Sequence, residues 1–176
     1  MSITSEDRRA IREAYGYCCG YCSVSESGIG GKLQIDHYRP ATKGGEDNLN
    51  NLVYACAHCN RFKGNYWPDE SDPQSLYLLH PVEDDPSPHL QITASGRMEG
   101  LTPRGWFHIR RLHLNRPQLV VWRQNWQRYR ELEEALQRSE AITIQLQQRI
   151  RELEQEAFRL RQQIARLSGS AEEGSS

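Results

Sequence analysis

Residues 33–63 read LQIDHYRPATKGGEDNLNNLVYACAHCNRFK, and the architecture of the chain follows from them. Leu33-Gln34-Ile35 is a short apolar run that predicts a strand, with Asp36 and His37 adjacent at its end. Successive side chains of a strand leave on opposite faces, so one of this pair can face a metal while the other faces a water. Pro40 and Gly44-Gly45 break the strand into a loop, Asn48 to Tyr54 resumes an extended pattern, and Ala57 to Lys63 predicts a helix. Strand, loop, strand and helix follow one another inside this single span.

The helical end of the span contains Cys56-Ala-His-Cys59, and a second knuckle, Cys19-Gly-Tyr-Cys22, lies 33 residues before it. In a reducing compartment such pairs are metal ligands before they are disulfides. Two Cys-x-x-Cys knuckles suit a closed tetrahedral zinc site with four thiolate ligands, whose role would be to fold a unit too small to hold its own geometry. Cys18 is the spare among the five cysteines.

Hydrolysing a phosphodiester needs a water, a base to deprotonate it and a cation to neutralise developing charge. The order Asp36-His37, a basic residue before Gly44-Gly45, Asn51-Leu52 and Cys56-x-x-Cys59-Asn60-x-x-Lys63 resembles the HNH (ββα-metal) endonucleases, over roughly Tyr15 to Tyr66. That resemblance implies that His37 is the general base, that Asp36 and Asn60 hold one divalent cation, and that Asn51 braces the His-bearing loop through a side-chain to backbone hydrogen bond. It also implies that Lys63 and Arg61 approach the scissile phosphate. Asn60 stands where the family name has its second His. An amide oxygen and a carboxylate are hard ligands, which favours Mg2+ or Mn2+ over a catalytic Zn2+.

At 176 residues with 37% apolar content, the chain supports one modest domain plus an extension exposed along its length. Its mean hydropathy of -0.79 agrees. No apolar run approaches a membrane span, and MSITSEDRRAIREAYG lacks the apolar core of a signal peptide, so the expected location is cytoplasmic. Thr4-Ser5-Glu6-Asp7 caps a short helix leading into the first knuckle. Residues 23–31, SVSESGIGG, predict a loop without a chemical role.

Between residues 68 and 101 seven acids face one basic residue, a stretch that would repel a phosphate backbone. Within it, residues 89–101 predict a β-hairpin around Ser95-Gly96. Thr102-Pro103 opens a helix, and Asn115-Arg-Pro caps the next. From Thr102 to Arg130 there are seven Arg and no acid, interleaved with Trp106, Trp122 and Trp126, although the net charge is -1. Arg104, Arg110, Arg111, Arg116 and Arg123 of this zone, with Arg39 and Arg61, are the candidate DNA-binding residues. The alternative is that several pair with the acidic stretch inside the same fold.

The last third carries a heptad seam running from Tyr129 through Leu132, Leu136, Ser139, Thr143, Leu146, Ile150, Leu153, Ala157, Leu160 and Ile164 to Leu167. Ile at a with Leu at d favours two parallel strands, and the g–e′ pairs Arg128–Glu133′, Arg149–Glu154′ and Glu156–Arg161′ are all complementary. A lone helix docked elsewhere is the alternative to a homodimer.

The fold expected is therefore α+β: a small zinc-stabilised ββα-metal nuclease domain with added hairpin and helices over 1–115, a long helix over 116–167 with coiled coil from about 129, and a disordered tail over 168–176. The function expected is a DNA endonuclease using Mg2+ or Mn2+. The alternatives are a partner-activated subunit recruited through its coiled coil, as in defence or mobile-element systems, and a zinc-stabilised DNA-binding module without catalysis.

Overall fold

The computed structural model describes residues 3–173, with side chains described to residue 164. Two compact units divide it, 1–127 and 128–176. The first is a mixed α+β unit and opens with helix α1 (Ser5–Ala14), started by Thr4, whose hydroxyl accepts from the Asp7 N–H while the Asp7 carboxylate accepts from the Thr4 N–H. This reciprocal bonding satisfies two otherwise orphaned donors. Ile11 is the residue that α1 buries.

Residues 23–31 contain a helical turn, α2 (Glu26–Ile29), where the sequence predicts only loop. Ser25 caps it through the Gly28 N–H, and Gly30 ends it with a left-handed φ of 71°. Glu26 then receives both Arg12 Nε at 2.6 Å and Nη2 at 2.5 Å, and the Tyr54 hydroxyl as well. The hydrogen bond from Arg12 pulls its carboxyl down to about 2. The loop is thus fastened to α1 and to the neighbouring strand.

Strand β1 (Gln34–His37) pairs antiparallel with β2 (Leu52–Ala55), with Asp36 opposite Val53 and His37 opposite Leu52. The extended segment predicted over 48–54 shortens to β2 because Asn48 to Asn51 is occupied by a turn, in which Asn48 Oδ1 accepts from the Asn51 N–H. All four residues of β2 are buried. Helix α3 (Ala57–Lys63) follows, capped by the Cys56 sulfur. The core runs from Ile11 and the cysteines through Leu52 to Ala55, Ile109, Leu112, Leu114 and Leu119.

A second hairpin pairs β3 (Leu90–Ile92) with β4 (Met98–Gly100). Thr102 caps helix α4 (Pro103–Arg111) with Pro at its start, as the N-terminal proline rule requires. Asn115 does not cap the next helix: its Oδ1 accepts from the Met98 N–H and its Nδ2 donates to the Met98 carbonyl, both at 2.7 Å. It clamps the hairpin to the α4–α5 turn. Helix α5 (Pro117–Glu173) then runs for 57 residues. Its assigned range takes in 168–173 of the expected tail, and the remainder, 174–176, lies outside the described residues.

From Arg128 to Ile164 every described side chain of the second unit is exposed, including Leu132, Leu136, Leu146, Ile150, Leu153 and Leu160. Leu167, the last position of the expected seam, lies outside the described side chains. Thr143 Oγ1 donates to the Ser139 carbonyl, so the Thr143 hydroxyl is satisfied within the helix. No helix among the described residues is long and apolar enough to cross a membrane.

His108, buried on α4, accepts the Leu79 N–H on Nδ1 at 3.0 Å. Burial, helped by the Arg104 charge, holds its imidazole down to about 4 from 6.5. A depressed base binds fewer protons folded than unfolded, so stability is lost as pH falls from 6.5 towards 4. Thermal melts across that window should show wild type losing on the order of 3 kcal/mol more than His108→Gln; parallel pH profiles would show that His108 does not titrate in this way.

Candidate active site

The pleat of β1 sorts the Asp-His pair. Asp36 turns inward and is 7% exposed, whereas His37 remains half-buried at the rim of a cleft of about 280 Å³. Asp36, His37 and Asn60 line this cleft together, with Ile35, Pro40, Ala41, Thr42, Gly64 and Asn65. Of the five catalytic candidates, these three converge. Asn51 and Lys63 stand behind them.

Asn51 ties the loop between the two strands. Its Oδ1 accepts from the Arg39 N–H at 2.7 Å, and its Nδ2 donates to the carbonyls of Arg39 and Glu46 at 3.0 and 2.9 Å. The glycine pair lets the chain close around it. Gly44 takes a φ of 81°, and a Cβ on Gly45 would lie 1.7 Å from the Arg39 carbonyl oxygen. The same loop delivers Asp47, whose Oδ1 lies 2.7 Å from His37 Nε2. A carboxylate accepts only, so Nε2 carries a proton, and in the neutral imidazole the lone pair is on Nδ1. The bond to His37 in turn draws the Asp47 carboxyl below its usual range.

Asp36 is held from two sides. The Tyr21 hydroxyl donates to Oδ2 at 2.8 Å, and Lys63 Nζ lies 3.2 Å from Oδ1. Lys63 is fully buried and also donates to the His37 carbonyl at 2.5 Å. Burial raises the Asp36 carboxyl against the pull of Lys63 and Tyr21, and burial lowers the Lys63 amine. The expectation that Lys63 approaches a phosphate is therefore corrected: its ammonium is engaged inside, because Asp36 cannot be buried as a lone charge.

Asn60 projects from α3 into the cleft. Its Nδ2 donates to Gln34 Oε1 at 2.8 Å, and among the described residues no donor reaches its carbonyl oxygen. A carboxylate and an unoccupied amide oxygen facing one cleft are a donor set suited to a hard divalent cation.

Behind β2, the sulfurs of Cys19, Cys22, Cys56 and Cys59 all lie within 4.8 Å of one another, and all four residues are buried. Tetrahedral thiolates around zinc stand ~3.8 Å apart; Cys22 and Cys56 Sγ are 3.8 Å apart. The four fit a structural zinc. Ser23, just after the first knuckle, takes a left-handed φ of 61° to turn the chain. Arg116 brings a guanidinium to within 3.6 to 3.9 Å of three of the sulfurs, those of Cys22, Cys56 and Cys59, and so offsets thiolate charge. Cys18 stays outside the cluster.

Residues 19–66 match the family model described as HNH endonuclease. The chain carries an HNH endonuclease domain. Two curated relatives, both from Bacillus mycoides (strain KBAB4), are similar to it. Septu protein PtuB is 28% identical over 119 residues, which covers 52% of this chain and 40% of that protein. Septu protein PtuA is 28% identical over 132 residues, covering 60% of this chain and 18% of that protein. The chain thus spans less than half the length of either relative.

Around the HNH domain the expected DNA-binding arginines divide. Arg104 forks onto Asp84 at 3.1 and 2.6 Å and bonds the carbonyls of Tyr77 and Leu78, which ties the acidic stretch to α4. Arg123 is buried against the carbonyls of Gly96 and Leu114. Arg111 bonds the Lys63 carbonyl at 2.7 Å and lies over the Tyr66 ring. With Arg116 at the cysteines, four of the seven are used inside the fold. Arg39, Arg61 and Arg110 remain exposed. Two site residues escape sequence reasoning: Tyr21 is hidden inside the first knuckle, and Asp47 sits in a loop where no periodicity marks it.

Lys63→Met should strand Asp36 as a buried unpaired carboxyl and destabilise the domain by about 3–5 kcal/mol in denaturant titrations. Adding Asp36→Asn should recover most of that loss. A Lys63→Met protein as stable as wild type would show that the pair contributes nothing.

Proposed function

We propose that this chain is a divalent-metal-dependent endonuclease that hydrolyses phosphodiester bonds of DNA in the cleft formed by Asp36, His37 and Asn60. The observation that carries this reading is the His37–Asp47 contact beside that cleft, within a domain matched by the HNH model. Asp47 holds the imidazole through Nε2–H, so Nδ1 takes the proton from an attacking water. Asn51 fixes the loop that carries Asp47. Asp36 and Asn60 would hold Mg2+ or Mn2+, which when bound supplies charge neutralisation to the phosphate and the departing oxygen. Exposed Arg39 and Arg61 meet the phosphate backbone beside the cleft. The four cysteines hold a zinc that fixes the fold and takes no part in the reaction.

A second observation favours a wider assembly. The exposed seam of the second unit has the spacing of a parallel coiled coil, with charged flanks that complement a second copy. We infer a homodimer through residues 129–167, which gives each assembly two sites. The similarity to two Septu proteins supports the alternative that a different chain engages this helix and is needed for activity. Light scattering should return the mass of a dimer; a monomer at micromolar concentration would favour the different partner.

Incubation with supercoiled plasmid should give nicked or linear product with Mg2+ or Mn2+ and none with EDTA. His37→Ala should abolish this with zinc content intact, whereas Asp47→Ala should lower the turnover about 10- to 100-fold. Cys56→Ser should lose zinc and unfold the site. Equal cleavage by His37→Ala and wild type would exclude His37 as the base.

A further inference from the structure

The basic zone that supplies the inward-turned arginines also leaves a cleft of about 1070 Å³ on the same unit, where α4, the second hairpin and the α4–α5 turn meet. Its lining includes Arg97, Trp106, Phe107, Arg110, His113 and Arg116, and it contains no carboxylate. Arg97 and Arg110 are exposed, and among the described residues neither forms an ion pair. They contrast with Arg104, whose fork is taken by Asp84. A cleft that collects cations without compensating acids is a site for an anion.

Trp106 says more about the ligand. It is 50% exposed, and its backbone is seated on the hairpin: a Cβ placed on Gly100 would lie 2.4 Å from Trp106 N and 2.8 Å from its Cα and Cγ. Only glycine admits this approach. The turn of helix that carries Trp106 is therefore held against the hairpin while the residue stays half exposed, with Arg110 four residues along the same helical face and Arg97 of the hairpin lining the same cleft. Aromatic faces held between guanidinium groups are the chemistry that stacks a nucleobase while its flanking phosphates are neutralised. A base inside a duplex has both faces covered, so only an unpaired one can use this platform.

We propose that this cleft binds an unpaired stretch of a nucleic-acid strand, with one base stacked on Trp106 and adjacent phosphates on Arg97 and Arg110. This rests on the nuclease reading and narrows its substrate to nucleic acid with single-stranded character near the cut.

Fluorescence anisotropy with short labelled oligo(dT), oligo(U) and a duplex of equal length tests it on the 176-residue chain. Trp106→Ala should bind the single strands roughly tenfold more weakly and the duplex nearly unchanged, and Trp106→Phe should retain most of the affinity. Arg110→Glu should weaken all three and flatten their salt dependence. A loss seen with only one of the two single strands names the preferred strand, thymidylate or uridylate, and supports the site. Wild-type affinity of Trp106→Ala for both single strands would overturn it, as would an equal loss on single strands and duplex. His37→Ala should bind every probe like wild type, so failure of the stacking site and failure of the nuclease reading remain separable.

Discussion

Four buried cysteines meet at one point at the centre of this fold. Two knuckles separated by 33 residues are brought within 4.8 Å, sulfur to sulfur, and everything chemically interesting lies on the chain between them or leans on them. The strands are only four residues each, too short to hold register by their own ladder. A metal held by both knuckles would close the loop from Cys22 to Cys56 and so lower the entropy of the unfolded chain. Cys56 also caps α3, so the helix that presents Asn60 starts at the cluster itself. Arg116 then fastens the turn between α4 and α5 to the same sulfurs.

On that frame the site solves a problem of burial. A carboxylate placed to meet a cation at the edge of a core must be spared the full cost of desolvation. Tyr21 and Lys63 do this, one from the first knuckle and one from the end of α3. His37 faces the other way on the same strand and is organised by a different device, the loop carrying Asn51 and Asp47. Alternation along β1 thus separates Asp36 from His37, and each acquires its own set of supporting bonds.

Much of this arrangement was legible in the sequence. Helix α3 and the Thr102-Pro103 start of α4 follow from capping residues and periodicity, and the cysteine cluster follows from spacing alone. What was not legible involves charged side chains whose destination depends on tertiary contacts. Seven arginines without an acid look like one basic face, yet Arg104 and Arg123 turn to carbonyls and to Asp84 in the fold. Lys63 ends a helix with Arg61 two residues before it; Arg61 is exposed and Lys63 fully buried. Glu26 lies in a run of Ser and Gly that reads as loop, and only the approach of Arg12 and Tyr54 gives it a role. Linear pattern records which groups are present, whereas pairing at a distance decides which of them stay available.

The proposed function calls for two metal environments of different chemistry, a soft one at the four cysteines and a hard one at Asp36 and Asn60. Anomalous diffraction from crystals soaked in Mn2+, recorded at the zinc and manganese edges, addresses this directly. A zinc peak is predicted among Cys19, Cys22, Cys56 and Cys59, and a manganese peak between Asp36 and Asn60. Manganese absent from that cleft, with Lys63 still on Asp36, would contradict the assignment.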